Sequence, residues 1–332
     1  MSETVHAHVA RSSNRAAQRQ IREYLHWKIR VSSVGDYFVL KPDFNFTSIH
    51  IIESLGESAG EPGKQLKGHL DHISRIADSI PIFYHYAFDQ RDLVTVLEGI
   101  YKQQRVDKGT PVLHIEVHGG SEGIVLRDGS KMEWNRLAGI LSKFNLSTEF
   151  QLLVILACCD GIHQINSLRI DSPCPFRALV GCQGMVHTED LLKGFGAFYE
   201  EVFSTGKVLK AVELLQSRIR PQTGTFVFFS AEKAFIMAAS KVYSENRNTE
   251  ALEKRIAAVR PKIEVKRALE GNLTPVDASE IMKALAGAEK TAMDSFWEKF
   301  FCIQGLPSNR ERFDRDRLWK FAVEYAEKES VG

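Results

Sequence analysis

The chain has 332 residues, 44% apolar and 26% charged, with 43 Lys and Arg against 42 Asp and Glu for a net charge of +1. This composition can fill the core of one large domain, or of a core domain with appendages. The near-neutral balance lacks the basic excess of nucleic-acid binders, and no run of about 18 apolar residues offers a membrane-spanning helix, so neither nucleic acid nor a membrane is an expected partner.

Residues 1–45 read as an N-terminal helical or extended segment. It is polar and basic and lacks the apolar stretch of a secretory signal, so the expected compartment is the cytoplasm. Its basic stretch 15–30, with Ile21, Leu25 and Trp27 among the charges, reads as a surface helix rather than an anchor, because its apolar face is thin.

Residues 46–235 alternate strand and helix signals. Residues 48–55 (SIHIIESL) read as a strand, and Leu66, Leu70, Ile73 and Ala77 follow at helical spacing. Residues 80–88 (IPIFYHYAF) are rich in strand formers, and Leu93, Val96, Leu97 and Ile100 form the next helical stripe. Residues 111–118 (PVLHIEVH) read as a strand that runs into Gly119 and Gly120. Trp134, Leu137, Ile140 and Leu141 share one side of another helix.

Residues 150–157 (FQLLVILA) are almost continuously apolar, as a central parallel strand buried on both faces must be. Residues 176–182 (FRALVGC) repeat that pattern. Helices follow through Leu191, Leu192, Phe195, Phe198 and Val202 and again over 208–215, and residues 225–230 (TFVFFS) read as a last strand. Alternating units of this kind predict an α/β fold with a mostly parallel sheet covered by helices.

Residues 236–332 read as a helical C-terminal appendage. Thr274, Pro275 and Asp277 predict a helix start, with Thr274 as the cap and Pro275 in the first helical position. Ile281, Leu285, Ala288, Ala292, Phe296 and Phe300 continue it, and Gly305 and Pro307 are expected to end it. A last charged helix is expected over 310–329. This region is expected to dock on the core or to recruit a partner, such as a substrate or a regulatory or sensor protein.

In an open parallel sheet, sites form at the carboxyl ends of strands. Two ends carry chemistry here: His118 before Gly119, and Cys159 after Ala157 and Cys158. The five cysteines are Cys158, Cys159, Cys174, Cys182 and Cys302; an odd number with four crowded together is no disulfide framework, so free thiols are expected. An imidazole near a thiol can stabilise the thiolate and then protonate a leaving amine. An oxyanion needs fixed N–H donors, which Gly119 can present with no side chain in the way. Alternation along the strand puts His114 and Glu116 on the face of His118, and His114, further from the strand end, reads as structural.

The block Leu113-His114-Ile115-Glu116-Val117-His118-Gly119 resembles the histidine block of the CHAT peptidases, relatives of caspases and separases. Residues 123–129 are similar to the short hairpin that follows in that family. Leu156-Ala157-Cys158-Cys159-Asp160-Gly161 resembles its cysteine block, in which the nucleophile is the third residue after the leucine, here Cys159. Leu179-Val180-Gly181-Cys182, Asp190, Phe198-Tyr199 and Gly206 follow the downstream order. The match spans about a third of the chain, from Val112 to Gln216, and the roughly 40 residues from His118 to Cys159 approach the caspase interval of about 50. Two departures are the Cys158-Cys159 pair in place of Ser-Ala-Cys and the absence of tryptophan near Cys182-Gln183-Gly184-Met185.

The resemblance implies a caspase-like three-layer sandwich, a catalytic pair of His118 and Cys159, and oxyanion donors at the Gly119 and Cys159 amides. It also implies no metal or organic cofactor. Asp190 matches an acidic position near the substrate pocket, which would favour Lys or Arg in the substrate; its bland alternative is the N-cap of the following helix. Asp160 either shapes the same pocket or solvates a loop. The expected activity is a cysteine endopeptidase acting on a specific protein, in a bacterial defence or cell-death setting by analogy with relatives. The alternative is an inactive caspase-like scaffold that binds a partner.

Two rivals are weaker. Cys159, His163, Cys174, Cys182 and His187 are suitable zinc ligands by type, but the paired spacing of structural zinc sites is absent. No Walker loop or G-x-G-x-x-G cradle supports a nucleotide binder.

Overall fold

The apolar runs become the strands of one eight-stranded sheet in the computed structural model, which describes residues 44, 46–56, 59–74, 80–220, 222–271, 274 and 276–329. The expected N-terminal segment and its basic helix lie outside the described residues, apart from residue 44.

In chain order the elements of the sheet unit are β1 (Ser48–Ser54), α1 (Pro62–Ser74), β2 (Ile82–Tyr86), α2 (Gln90–Asp107), β3 (Pro111–Gly120), β4 (Gly123–Val125), β5 (Lys131–Glu133), α3 (Trp134–Ser147), β6 (Leu153–Ala157), a 3-10 turn (Gly161–Ser167), β7 (Ala178–Gln183), α4 (Thr188–Thr205), α5 (Val208–Arg218) and β8 (Thr225–Ser230). The main sheet order is β2-β1-β3-β6-β7-β8. All its neighbours are parallel except β7 and β8, and β4 and β5 form an antiparallel hairpin off the end of β3. The class is therefore α/β with a mixed, mostly parallel central sheet, compatible with a three-layer sandwich.

The strand sequences explain their places. All five residues of β6 (LVILA) are buried, as are the first seven of β3. One sheet face, with Ile49, Ile51, Val112, Ile155 and Val180, packs against Leu66 and Leu70 of α1, Phe195 and Phe198 of α4 and Leu215 of α5. The opposite-facing Leu113, Ile115, Val154 and Leu156 are equally buried. At roughly 1.5–3 kcal/mol per buried aliphatic or aromatic side chain, these two faces dominate the stability of the unit. Asp89 caps α2 by accepting the Arg91 and Asp92 N–H groups at 2.7 and 2.8 Å.

The described residues divide into two compact units: 44–168 with 174–233, and 169–173 with 234–329. The second is helical. Its elements are α6 (Ala231–Arg247, which begins in the first unit), α7 (Thr249–Leu269), α8 (Ala278–Phe300), α9 (Asn309–Arg312) and α10 (Arg315–Glu329). Phe235, Phe300, Phe301 and Phe313 pack ring on ring in its core, with Phe301 and Phe313 stacked at 4.3 Å.

Three expectations about this unit are corrected. The cap of α8 is Asp277, not Thr274: its carboxylate accepts the Glu280 N–H at 2.9 Å. Val276 before the cap and Ile281 in the first full turn share one buried cluster, a staple that fixes the entry angle there. The helix ends at Phe300, before Gly305, where Asn309 Nδ2 takes the Phe301 carbonyl at 2.7 Å. The last expected helix is two, because Phe313 turns inward onto Phe301 and Asp314 restarts the chain by capping the Arg317 N–H at 2.7 Å. No described helix is long and apolar enough to cross a membrane.

Candidate active site

β3 and β6 are parallel neighbours whose register runs to Glu116 opposite Ala157. The ladder stops there: β3 runs on to His118 and Gly119, and the chain leaving β6 turns through Cys158 and Cys159. His118 and Cys159 lie at the carboxyl rim of the sheet. Gly119 packs directly on this turn: a Cβ there would collide with the Cys159 carbonyl and stand 2.8 Å from Cys158 Sγ. Only glycine permits so close an approach.

The rim segments are tied together. The Trp134 indole N–H donates to the carbonyls of Gly120 and Ser121 at 3.1 and 3.2 Å, pinning the turn after His118. The Trp134 carbonyl in turn accepts from Gln164 Nε2 at 3.3 Å, on the 3-10 turn that follows Cys159. One buried tryptophan thus braces both halves.

His118 is exposed at the rim, and Cys159 is half-buried. No hydrogen bond joins the imidazole to the thiol. Cys159 Sγ instead accepts the Val186 N–H at 3.3 Å. The turn after β6 is closed by bonds from the Asp160 N–H to the Gly184 carbonyl, from the Gly161 N–H to the Cys158 carbonyl and from the His163 N–H to the Asp160 carbonyl.

The neighbouring cysteines are different. Cys158, Cys174 and Cys182 are at most 2% exposed. Burial pushes the Cys158 and Cys174 thiols far up, and burial followed by Cys159 and Asp160 pushes Cys182 up to about 12. They remain protonated, small and apolar in their behaviour.

His114 is wholly buried. Its Nδ1 meets Tyr199 Oη and its Nε2 meets Glu116 Oε1, each at 3.0 Å, with Phe195 edge-on at 4.5 Å. That network fixes β3 against α4 and does not open to the rim.

Asp160 and Asp190 are found in different settings. Asp160 follows Cys159 and bonds Gly184 in both directions, its N–H donating to the Gly184 carbonyl and its Oδ1 accepting the Gly184 N–H, each at 3.0 Å. Asp190 is 5% exposed and occupied within the protein: it accepts Arg220 Nε at 3.1 Å and Thr223 Oγ1 at 2.5 Å. Burial alone would raise its carboxyl, but the Thr223 and Arg220 hydrogen bonds outweigh it and hold the value below the ordinary one. The N-cap alternative for Asp190 is corrected: His187 stands at the cap of α4, and Asp190 is in the first turn. Its acid stabilises that helix end from inside.

The residue missed by sequence reasoning is Val186. It acts through its backbone N–H, which carries no side-chain signature. The one available hint was Gly184, a glycine just past a buried strand; it has φ +93°, a left-handed turn that steers 184–186 back over Cys159.

Among the described residues no three His, Cys, Asp or Glu side chains converge as metal ligands. A cavity of about 400 Å³ lies in the helical unit, floored by Phe235, Met293 and Trp319. Four of its charged residues pair, Arg247 with Glu289 and Arg315 with Asp294, and none of the sheet-rim residues lines it. No family model matches the sequence, and no curated protein matches it.

Proposed function

We propose that this chain is a caspase-like cysteine endopeptidase of the CHAT kind, with Cys159 as nucleophile and His118 as its acid–base partner. The observation that carries the reading is the β3–β6 register, which brings an imidazole and a thiol to adjacent ends of parallel strands at one rim. In the reaction, His118 takes the thiol proton as Cys159 Sγ attacks the scissile carbonyl. The Gly119 and Cys159 N–H groups face the oxyanion. The C–N bond then breaks, His118 delivers the proton to the leaving amine, and water hydrolyses the thioester to release the acid and restore the thiol.

The open spacing of imidazole and thiol suits a pair that a bound substrate carbonyl completes, since catalytic contacts often tighten only in the complex. The substrate is a protein segment laid in extended form along the rim, as an added strand. By the same resemblance, the setting is a cytoplasmic defence or cell-death system with one dedicated target. Neither metal nor organic cofactor enters these steps.

The engagement of Cys159 Sγ by the Val186 N–H favours one second reading, a caspase-like scaffold that binds a partner without cutting it. One experiment separates the two. Iodoacetamide labelling of the native protein followed by peptide mapping should modify Cys159 fastest, and His118→Ala should slow it. Co-expression with candidate target proteins should give a cut that Cys159→Ala abolishes. Sluggish labelling unaffected by His118→Ala would favour the scaffold, and a cut surviving in Cys159→Ala would remove the peptidase assignment.

A further inference from the structure

Asp160 has φ 53°, the left-handed conformation that among non-glycine residues Asn and Asp enter most readily. The paired ladder of β6 and β7 stops at Leu156 opposite Gly181. Past that point the two chains would separate, yet Asp160 and Gly184 rejoin them with two hydrogen bonds of 3.0 Å, one of them through the carboxylate. The next peptide groups are held as well: the Met185 carbonyl accepts the Gly224 N–H at 2.7 Å, and the Val186 N–H reaches Cys159 Sγ at 3.3 Å. The sulfur is therefore seated by the segment 184–186, and the position of that segment is set from one side by Asp160. A carboxylate oxygen engaged with a backbone amide inside the protein is turned toward its own loop rather than toward a substrate cation.

We infer that Asp160 is a positioning residue that clamps segment 184–186 against Cys159 and so fixes the resting place of the sulfur. This role differs from the sequence-based expectation of a substrate-binding acid, and it rests on the reading of Cys159 as the nucleophile. An N–H aimed at the sulfur accommodates the negative charge that grows there on reaction. Losing one hydrogen bond to a charged group slows such a step by about tenfold or more. The clamp needs an acceptor at Oδ1 and a backbone that tolerates positive φ; it does not need a charge.

Two variants separate these requirements in the full chain. Asp160→Gly keeps the backbone conformation and removes the acceptor. Asp160→Asn keeps both and removes the charge. The measurements are the rate of iodoacetamide alkylation at Cys159 and the amide hydrogen exchange of the peptide spanning 178–187, with circular dichroism as the check on folding. Asp160→Gly should alkylate about tenfold more slowly and exchange faster over that peptide, while Asp160→Asn should restore both to near wild type. Wild-type alkylation and exchange in Asp160→Gly would overturn the clamp. So would an Asp160→Asn variant that behaves like Asp160→Gly, because charge rather than hydrogen bonding would then be the operative property. If His118→Ala leaves alkylation unchanged while Asp160→Gly still loosens 178–187, the dyad reading fails and the clamp stands.

Discussion

Gly119 rests on the carbonyl of Cys159, leaving no room for a β-carbon between the end of β3 and the turn after β6. The obstacle is a backbone carbonyl, which cannot rotate away as a side-chain end would.

Gly119→Ala should therefore push the two strand ends apart. Overpacking of this kind costs about 1–3 kcal/mol. The expected result is a lower midpoint of chemical unfolding together with altered Cys159 reactivity. An alanine variant as stable and as reactive as the wild type would show that the contact is slack.

The cysteines should sort by depth. Native protein treated with iodoacetamide should be modified at Cys159 and Cys302, the two half-buried thiols, and spared at Cys158, Cys174 and Cys182. Denaturant should make all five reactive. Modification of Cys158 at the rate of Cys159 under native conditions would contradict the burial that holds its thiol protonated.

Acid should weaken the β1–β2 edge through His50. Burial first, then the adjacent His85 at 3.0 Å, pushes His50 down to about 4 from an ordinary 6.5. Between those values the unfolded chain binds more protons, so stability rises with pH. The contribution is complete above 6.5 and is lost as pH falls through about 4, at most about 3 kcal/mol. His50→Asn should flatten the pH dependence of unfolding free energy in that window. The slope is the readout, because the substitution also removes the His50–Phe83 stack at 4.8 Å. An unchanged slope would place the proton uptake elsewhere.

Glu53 should act with the opposite sign. It lies opposite Glu116 in the β1–β3 register and is 2% exposed. Burial raises its carboxyl and Glu116 adds to that, against the hydrogen bonds from Tyr84 and the Lys64 and Gly63 amides. A carboxyl raised in the folded state contributes stability below its unfolded value of 4.5, and that is lost as pH rises through the folded one. Glu53→Gln should therefore raise the melting temperature at neutral pH, with the gain shrinking toward acid. A variant less stable than wild type at neutral pH would show that the ionised carboxylate is needed by the α1 amides.

Much of the fold was legible because its signals are local. β6 is apolar at every position, and no solvent-facing strand could be. Helix stripes such as Leu93, Leu97 and Ile100 repeat with the period of the helix that buries them. Helix ends were less legible: Thr274 and Asp277 are equally good caps by residue type, and burial of Val276 with Ile281 chose between them. The break at Phe313 was invisible because a charged amphipathic run continues across it, and the ring stack with Phe301 has no counterpart in local sequence.

For the candidate site, the sequence by itself determined which residues stand at strand ends: His118 before a glycine and Cys159 after a buried run. Tertiary structure alone decided that these ends are neighbours, that Asp190 bonds Arg220 and Thr223, and that Asp160 bonds Gly184 while the Val186 N–H meets the sulfur. The reason is physical. Side-chain type and spacing are written along the chain, whereas strand order and the direction of a backbone N–H arise only when distant segments pair.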